Sequence, residues 1–326
     1  MSASTAPSRL RWVELPDAPR TAIEATLGAP VAAEVPQTGG FSPGLASRLR
    51  LVDGRRVFVK AINSERNTHA PVLYRREASV MAALPGAVPA PALRHTYDDG
   101  DWVALVLDDI DGRHASEPWN STDLRRVLSA LTDLAHRLTP SPAKVPDVRD
   151  DLADNYRSWR RLADDHDTAG LDPWVAEHLS QLVDLEAGWT YAAEGDTLLH
   201  ADLRADNILL TPDTVAIIDW PYAVHGAPWL DLLLLLVSVA ATTPLDPEPL
   251  WTGHPLGRAA DPNGATAVLA AVAGDFTYCS RQPAPRNLPH LRRHQQQKAA
   301  AALSWLRNRT SRVATSSSTI LPPGKP

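Results

Sequence analysis

The densest chemistry in the chain lies in Leu199-His200-Ala201-Asp202-Leu203-Arg204-Ala205-Asp206-Asn207-Ile208-Leu209-Leu210 and, just after it, Val215-Ala216-Ile217-Ile218-Asp219-Trp220. Both segments set polar residues into apolar, β-forming runs, where an idle carboxylate is costly to bury. Asp202, Asn207 and Asp219 form a compact set of oxygen donors suited to Mg²⁺, a hard cation that binds carboxylates together with phosphate oxygens. The spacing His-x-Asp-x-x-x-x-Asn, with a further Asp just past the next strand, is that of a metal-assisted phosphoryl-transfer site. A polar hairpin turn that happens to carry carboxylates is the bland alternative, and matching residues upstream weigh against it.

Lys60 ends the apolar strand Val57-Phe58-Val59-Lys60, and the chain has only three other lysines, Lys144, Lys298 and Lys325. An ammonium in that position calls for an anion. Glu77 supplies one: in a helix opened by Pro71, the apolar Leu73, Val80, Met81 and Leu84 share a face with Glu77 in its middle. A carboxylate on a buried helix face must be paired. The plain readings are a solvated edge lysine and a rim glutamate bound to Arg75 or Arg76. Before the lysine strand comes Thr38-Gly39-Gly40-Phe41-Ser42-Pro43-Gly44, a turn whose backbone N–H groups would face phosphates.

These residues need elements to hold them. Leu45 to Val52 alternates as a strand, Asp53-Gly54 is a tight hairpin turn, and Arg56 to Ile62 returns. The Pro71 helix runs to Leu84, and strands follow near Leu93 to Tyr97 and Trp102 to Leu107. Beyond Asp111-Gly112 the pattern turns helical. A helix capped by Ser121 or Thr122 carries Leu124, Val127, Leu128, Leu131, Leu134, Ala135 and Leu138 on one face. Helices are predicted over 151–164 and 173–187, from Trp229, over 265–281 and over 292–313. A Pro/Gly loop spans 242–264.

With 326 residues and 44% hydrophobic composition, the chain can fill two cores. A net charge of −6 leaves no basic footprint for nucleic acid or an anionic membrane. The single cysteine, Cys279, cannot form an internal disulfide, which fits a reducing cytoplasm. Met1 to Trp12 has no apolar h-region, so no signal peptide is expected, and the longest apolar run, Leu230 to Ala241, is too short to span a bilayer. A soluble cytoplasmic protein is expected, of undetermined oligomeric state.

Taken together, these residues resemble the aminoglycoside phosphotransferase family, the small-molecule branch of the protein-kinase-like fold, from about Pro36 to Ala240. The resemblance implies an α+β, bilobal fold with a β-rich N-lobe and a helical C-lobe. The nucleotide-binding lobe would occupy 1–108, the helical lobe with catalytic loop and acceptor site 109–314, and a disordered tail 315–326. ATP (or GTP) with Mg²⁺ would bind between the lobes. Lys60 matches the phosphate-binding lysine and Glu77 its helix partner, with Gly39, Gly40 and Ser42 in the phosphate-facing turn. Leu107, Asp108, Asp109 and Ile110 match the hinge that meets adenine. Asp202 matches the catalytic base, Asn207 and Asp219 the metal ligands, and Arg204 takes the place of a lysine that contacts the transferred group. His200 and Asp231 match structural residues. Ala201 in place of the His-Arg-Asp arginine, Trp220 after Asp219, and the lack of an Ala-Pro-Glu segment argue against a protein kinase.

The implied reaction is phosphorylation of a hydroxyl on a small molecule, most fittingly an antibiotic of aminoglycoside, macrolide or nucleoside type, as in resistance or self-protection. A primary metabolite such as an amino alcohol or sugar is the alternative acceptor. Candidate acceptor contacts are Asp150, Asp151 and Asp154, whose plain reading is a solvated helix face. Two rival classes stand beside this one. A nucleotide-binding protein without chemistry would lack some of the charged residues present here. A metal hydrolase on His290 and His294 lacks both the glutamate and the third ligand.

Overall fold

The computed structural model describes residues 9–37, 43–285 and 290–317, with side chains to residue 311. The chain divides into two compact units, Met1–Val145 with His200–Ala223, and Pro146–Leu199 with Val224–Pro326.

The first unit is built on an antiparallel five-stranded sheet of order β1-β2-β3-β5-β4: β1 (Val31–Pro36), β2 (Leu45–Leu51), β3 (Arg56–Asn63), β4 (Leu93–Asp98) and β5 (Trp102–Asp108). Alternation decides its faces. Val57, Val59 and Ala61 of β3 join a core with Leu45, Leu49, Trp102, Ala104 and Val106, which Leu10, Trp12 and Leu15 of the N-terminal segment and Ile23 of helix α1 (Asp17–Leu27) complete. Lys60, one residue out of phase, therefore points to the other face. There helix α2 (Ala70–Ala83) packs on β3, β4 and β5. Asn67 starts α2, its Oδ1 accepting from the His69 and Ala70 N–H groups at 3.0 and 3.1 Å. Gly44 leads into β2 because a Cβ there would stand 2.3 Å from the Ala61 carbonyl oxygen.

Helix α3 (Ser121–Arg137) buries the predicted face of Leu124, Val127, Leu131, Leu134 and Ala135. Asn120 caps it, rather than Ser121 or Thr122, by accepting from the N–H groups of Thr122 and Asp123. Strand β6 (Arg113–His114) pairs with β8 (Ile208–Leu210), and β8 with β9 (Val215–Ile217). This small sheet, and the bond from Arg126 of α3 to the Thr211 carbonyl at 2.6 Å, are why 109–145 and 200–223 cluster with the first unit. The boundary expected at 108/109 is thus displaced, and the segment holding Asp202 and Asp219 belongs with the five-stranded sheet.

The second unit is helical apart from β7 (Thr197–Leu199) paired with β10 (Val224–Gly226). Its helices are α4 (Val148–Asp151), α5 (Ser158–Asp164), α6 (Pro173–Glu186), α7 (Trp189–Ala192), α8 (Leu230–Thr242), α9 (Pro247–Gly253), α10 (Pro255–Ala259), α11 (Pro262–Ser280) and α12 (Leu291–Ser317). Three expectations change. The helix predicted over 151–164 is broken, with Tyr156 at φ −90°, ψ 30° between α4 and α5. The loop predicted over 242–264 contains α9 and α10, each with Pro in its first turn and capped by Asp246 or His254. The last helix runs on through Ser317, into the segment expected to be a disordered tail. At the centre, α11 packs against α5, α6, α7 and α12. The α+β class is as predicted. No helix of the described residues is long and apolar enough to cross a membrane.

Candidate active site

Lys60, Glu77, His200, Asp202, Asn207 and Asp219 lie inside the first unit. Lys60 Nζ donates to Glu77 Oε2 at 2.7 Å and to Asp219 Oδ1 at 2.6 Å. Its ammonium also lies 4.9 Å from the ring centroid of Tyr74. Burial opposes the charge on Lys60, but Asp219 and Glu77 outweigh it and raise the ammonium above its ordinary pKa. Burial pushes the Glu77 carboxyl up to about 7, against the pull of Lys60 and of the nearby Trp220 N–H. Asp219 moves the other way: Lys60 overcomes burial there and holds the carboxyl below its usual range. Arg75 pairs with Asp98 at 2.7 and 2.8 Å, and Arg76 donates to the Ala223 carbonyl at 2.8 Å.

The 200–219 segment is organised by His200, which is fully buried. Its Nε2 lies 2.9 Å from the Ile218 carbonyl, and its Nδ1 accepts from the Asp202 N–H at 3.2 Å. A carbonyl only accepts and an amide N–H only donates, so the Nε2–H tautomer satisfies both. The ring packs edge-on against Trp220, with centroids 4.8 Å apart. Asn207 Nδ2 donates to the Asp202 backbone oxygen at 2.8 Å and reaches Asp202 Oδ2 at 3.3 Å. Its amide nitrogen is thereby committed, and Oδ1 is the atom that would face a cation. Ile218 N–H closes the hairpin on the Asn207 carbonyl at 3.0 Å.

Ala201 and Asp219 adopt left-handed backbone angles, φ 62° and 68°. For residues with a Cβ this costs about 1–2 kcal/mol each and persists where surrounding bonds over-determine the backbone. Here those bonds are His200 to Ile218 and Asp202, and Lys60 to Asp219. The Arg204 guanidinium lies 3.1 Å from Asp206 Oδ2 and 3.6 Å from Asp202 Oδ1.

The hinge side chains have structural partners. Asp108 pairs with Arg94 at 2.5 Å, and the buried Asp109 carboxylate takes Arg48 and Arg56, each at 3.2 Å. The Ile110 carbonyl accepts from Arg48 at 3.0 Å and from the Gly112 N–H at 2.9 Å, while Leu107 is buried in β5. Gly39, Gly40 and Ser42 lie outside the described residues. Asp231 is buried in the first turn of α8, and Asp150, Asp151 and Asp154 are exposed; all four belong to the second unit.

Residues without a motif also reach this region. Tyr74, three positions before Glu77 on α2, was legible only as an aromatic on the same helix face. Tyr222 is a half-exposed ring between the buried Pro221 and Ala223. Burial and the carboxylates of Asp202 and Asp219 raise its hydroxyl's pKa. Arg9, half-buried beside the anchored Leu10, has its pKa lowered by burial while Tyr74 and Asp219 pull the other way.

A β-sheet unit whose strand lysine meets a helix glutamate and a loop aspartate, with a helical second unit, is the architecture of a protein-kinase-like phosphotransferase. The phosphotransferase enzyme family (APH) matches residues 40–254, and the chain belongs to it. Solved structures share its fold. An aminoglycoside phosphotransferase from Alicyclobacillus acidocaldarius is 15% identical, with 87% of this chain and 93% of that one covered and a TM-score of 0.53. Choline kinase LicA from Streptococcus pneumoniae is 13% identical, with 89% and 98% covered and a TM-score of 0.55. Amicoumacin kinase hAmiN, in complex with AMP-PNP, Ca²⁺ and Ami, is 11% identical, with 87% and 94% covered and a TM-score of 0.51. The curated proteins contain no match to the chain.

Proposed function

We propose that this phosphotransferase moves the γ-phosphoryl group of ATP to a hydroxyl of a small molecule, with an antibiotic as the favoured acceptor. The observation that carries the reading is the pair of hydrogen-bonded ion pairs from the Lys60 ammonium to Glu77 and Asp219, a strand, a helix and a distant loop converging on one cation. The nucleotide complex of the amicoumacin kinase lends support, since that protein shares the fold.

Asp219 and Asn207 Oδ1 are the donors that would hold Mg²⁺, and their oxygen chemistry fits it. When bound, that ion offsets charge on the β- and γ-phosphates. Lys60 would hold phosphate oxygens by charge-assisted hydrogen bonds, with Glu77 keeping it in place. Asp202, fixed by His200 and Asn207, would orient the acceptor hydroxyl and take its proton as the oxygen–phosphorus bond forms and the γ-phosphorus to bridging-oxygen bond breaks. Arg204, drawn toward Asp202 and Asp206, would steady this loop and offset charge beside it.

Incubating the purified protein with Mg·ATP and a panel of aminoglycosides, macrolides, nucleoside antibiotics, amino alcohols and sugars tests this. ADP release coupled to a phosphorylated product, seen by mass spectrometry, is expected with one class. Product only from an amino alcohol or sugar would replace the antibiotic reading, and ATP binding without any product would replace the enzymatic one.

A further inference from the structure

Two adjacent residues of α2 hold the segment that follows Asp219. The Trp220 N–H lies close enough to the Glu77 carboxylate to lower its pKa against the effect of burial, and Arg76 donates through a terminal guanidinium nitrogen to the Ala223 carbonyl at 2.8 Å. Between these points the chain turns, with the Ala223 N–H on the Trp220 carbonyl at 3.3 Å. The turn begins at Asp219 in the left-handed conformation, a backbone state that most residues with a Cβ avoid. Lys60 constrains the Asp219 side chain at one end. Arg76 is the side chain that ties down the other end, and it lies on the same rigid helix as Glu77.

We infer that Arg76 is a positioning residue for the Asp219 carboxylate. Its bond to Ala223 fastens the 219–223 turn to α2, so that the helix sets where the Asp219 oxygens stand. Arg75, its neighbour, is not part of this fastening: it pairs with Asp98 and the Gly100 carbonyl on the far side of the helix register. A guanidinium suits the task, since a long side chain with several donors can reach a backbone carbonyl from a helix surface. The inference rests on the reading of Asp219 as a metal-holding residue, and its test separates the two.

The test compares wild type with Arg76→Met, which keeps the stem and removes the donors, and with Arg76→Lys, which restores a donor. Hydrogen exchange of the Trp220, Tyr222 and Ala223 amides is read in the ligand-free protein, and Mn²⁺ binding is titrated in the presence of ADP. Arg76→Met should speed exchange in this segment alone and weaken Mn²⁺ binding by about tenfold, the scale of one charge-assisted hydrogen bond. Arg76→Lys should recover most of both, and a melting curve close to wild type shows that the variants fold. Unchanged exchange in Arg76→Met overturns the inference. Faster exchange with Mn²⁺ binding intact also overturns it, provided Asp219→Asn, run alongside, abolishes Mn²⁺ binding. If Asp219→Asn binds Mn²⁺ normally, the metal reading fails and the inference falls with it.

Discussion

Lys60 and Asp219, 159 positions apart, are joined by a 2.6 Å bond, and the same ammonium holds Glu77 at 2.7 Å. One cation thus links β3, α2 and the turn after β9. Removing it leaves Glu77, 1% exposed, without its partner. Lys60→Ala should therefore destabilise the protein by roughly 3 kcal/mol and weaken ATP use as well. The double variant Lys60→Ala, Glu77→Gln should regain part of the stability but none of the activity. Thermal melts and ATP kinetics on the three proteins check this; equal stability of the single and double variants would contradict the pairing.

Asp202 is held at its backbone by His200 and Asn207, so its carboxylate can be altered without dismantling the loop. Asp202→Ala should lower turnover about a thousandfold while nucleotide affinity stays within a few-fold of wild type. Wild-type turnover in single-turnover assays would remove Asp202 from the role of base.

Asp109 lies in the expected hinge, yet its carboxylate is 3% exposed and spent on Arg48 and Arg56. Asp109→Ala should lower stability by about 3 kcal/mol, because two guanidinium groups lose a buried partner. Turnover measured well below the melting temperature should hardly change. A large rise in the KM for ATP without a fall in melting temperature would point to direct nucleotide contact instead.

Glu186 had no motif, but it is buried and its carboxylate accepts from the Trp159 and Arg160 N–H groups at 2.9 and 3.0 Å, capping α5 from α6. Gly274 of α11 makes room for it, since a Cβ there would stand 2.9 Å from Trp159 and 3.1 Å from Glu186 Oε1. Glu186→Ala should cost roughly 2 kcal/mol through orphaned amides. Gly274→Ala should be destabilising for the opposite reason, overfilling. Urea unfolding of both variants is the measurement.

Asp123 pairs with Arg113 at 2.6 and 2.7 Å and accepts from Ser116 N–H and Oγ. Arg113 first, then the Ser116 bonds, hold its carboxyl well below the usual range. The folded pKa lies under the unfolded value of about 3.9, so the unfolded chain binds more protons in that window. The stabilisation is complete above about pH 4 and is lost as pH falls below it. Asp123→Asn should lose roughly 1–3 kcal/mol near neutrality and show a shallower decline between about pH 5 and pH 3. Parallel acid limbs for variant and wild type would refute the linkage.

Much was legible locally. Alternation marked β2, apolar runs marked β3 and β5, Asp53-Gly54 marked the hairpin, and Pro71 marked the start of α2, because such signals act over a few residues. The break at Tyr156 and the two short helices in 242–264 were not legible, since single turns are decided by caps and packing rather than by periodicity.

By itself the sequence determined the chemistry on offer: a lysine ending an apolar strand, a glutamate on a helix, and Asp202, Asn207 and Asp219 spaced along one short stretch. Residue type and interval suffice for that, because they are properties of the covalent chain. Only the tertiary structure decided which arginine grips Ala223, that Asp109 serves Arg48 and Arg56, and that Tyr74, Tyr222 and Arg9 reach the same region. Those outcomes depend on the strand register and on the rotation of α2 against the sheet. Both are set by the packing of the whole unit, and no short window of residues contains them.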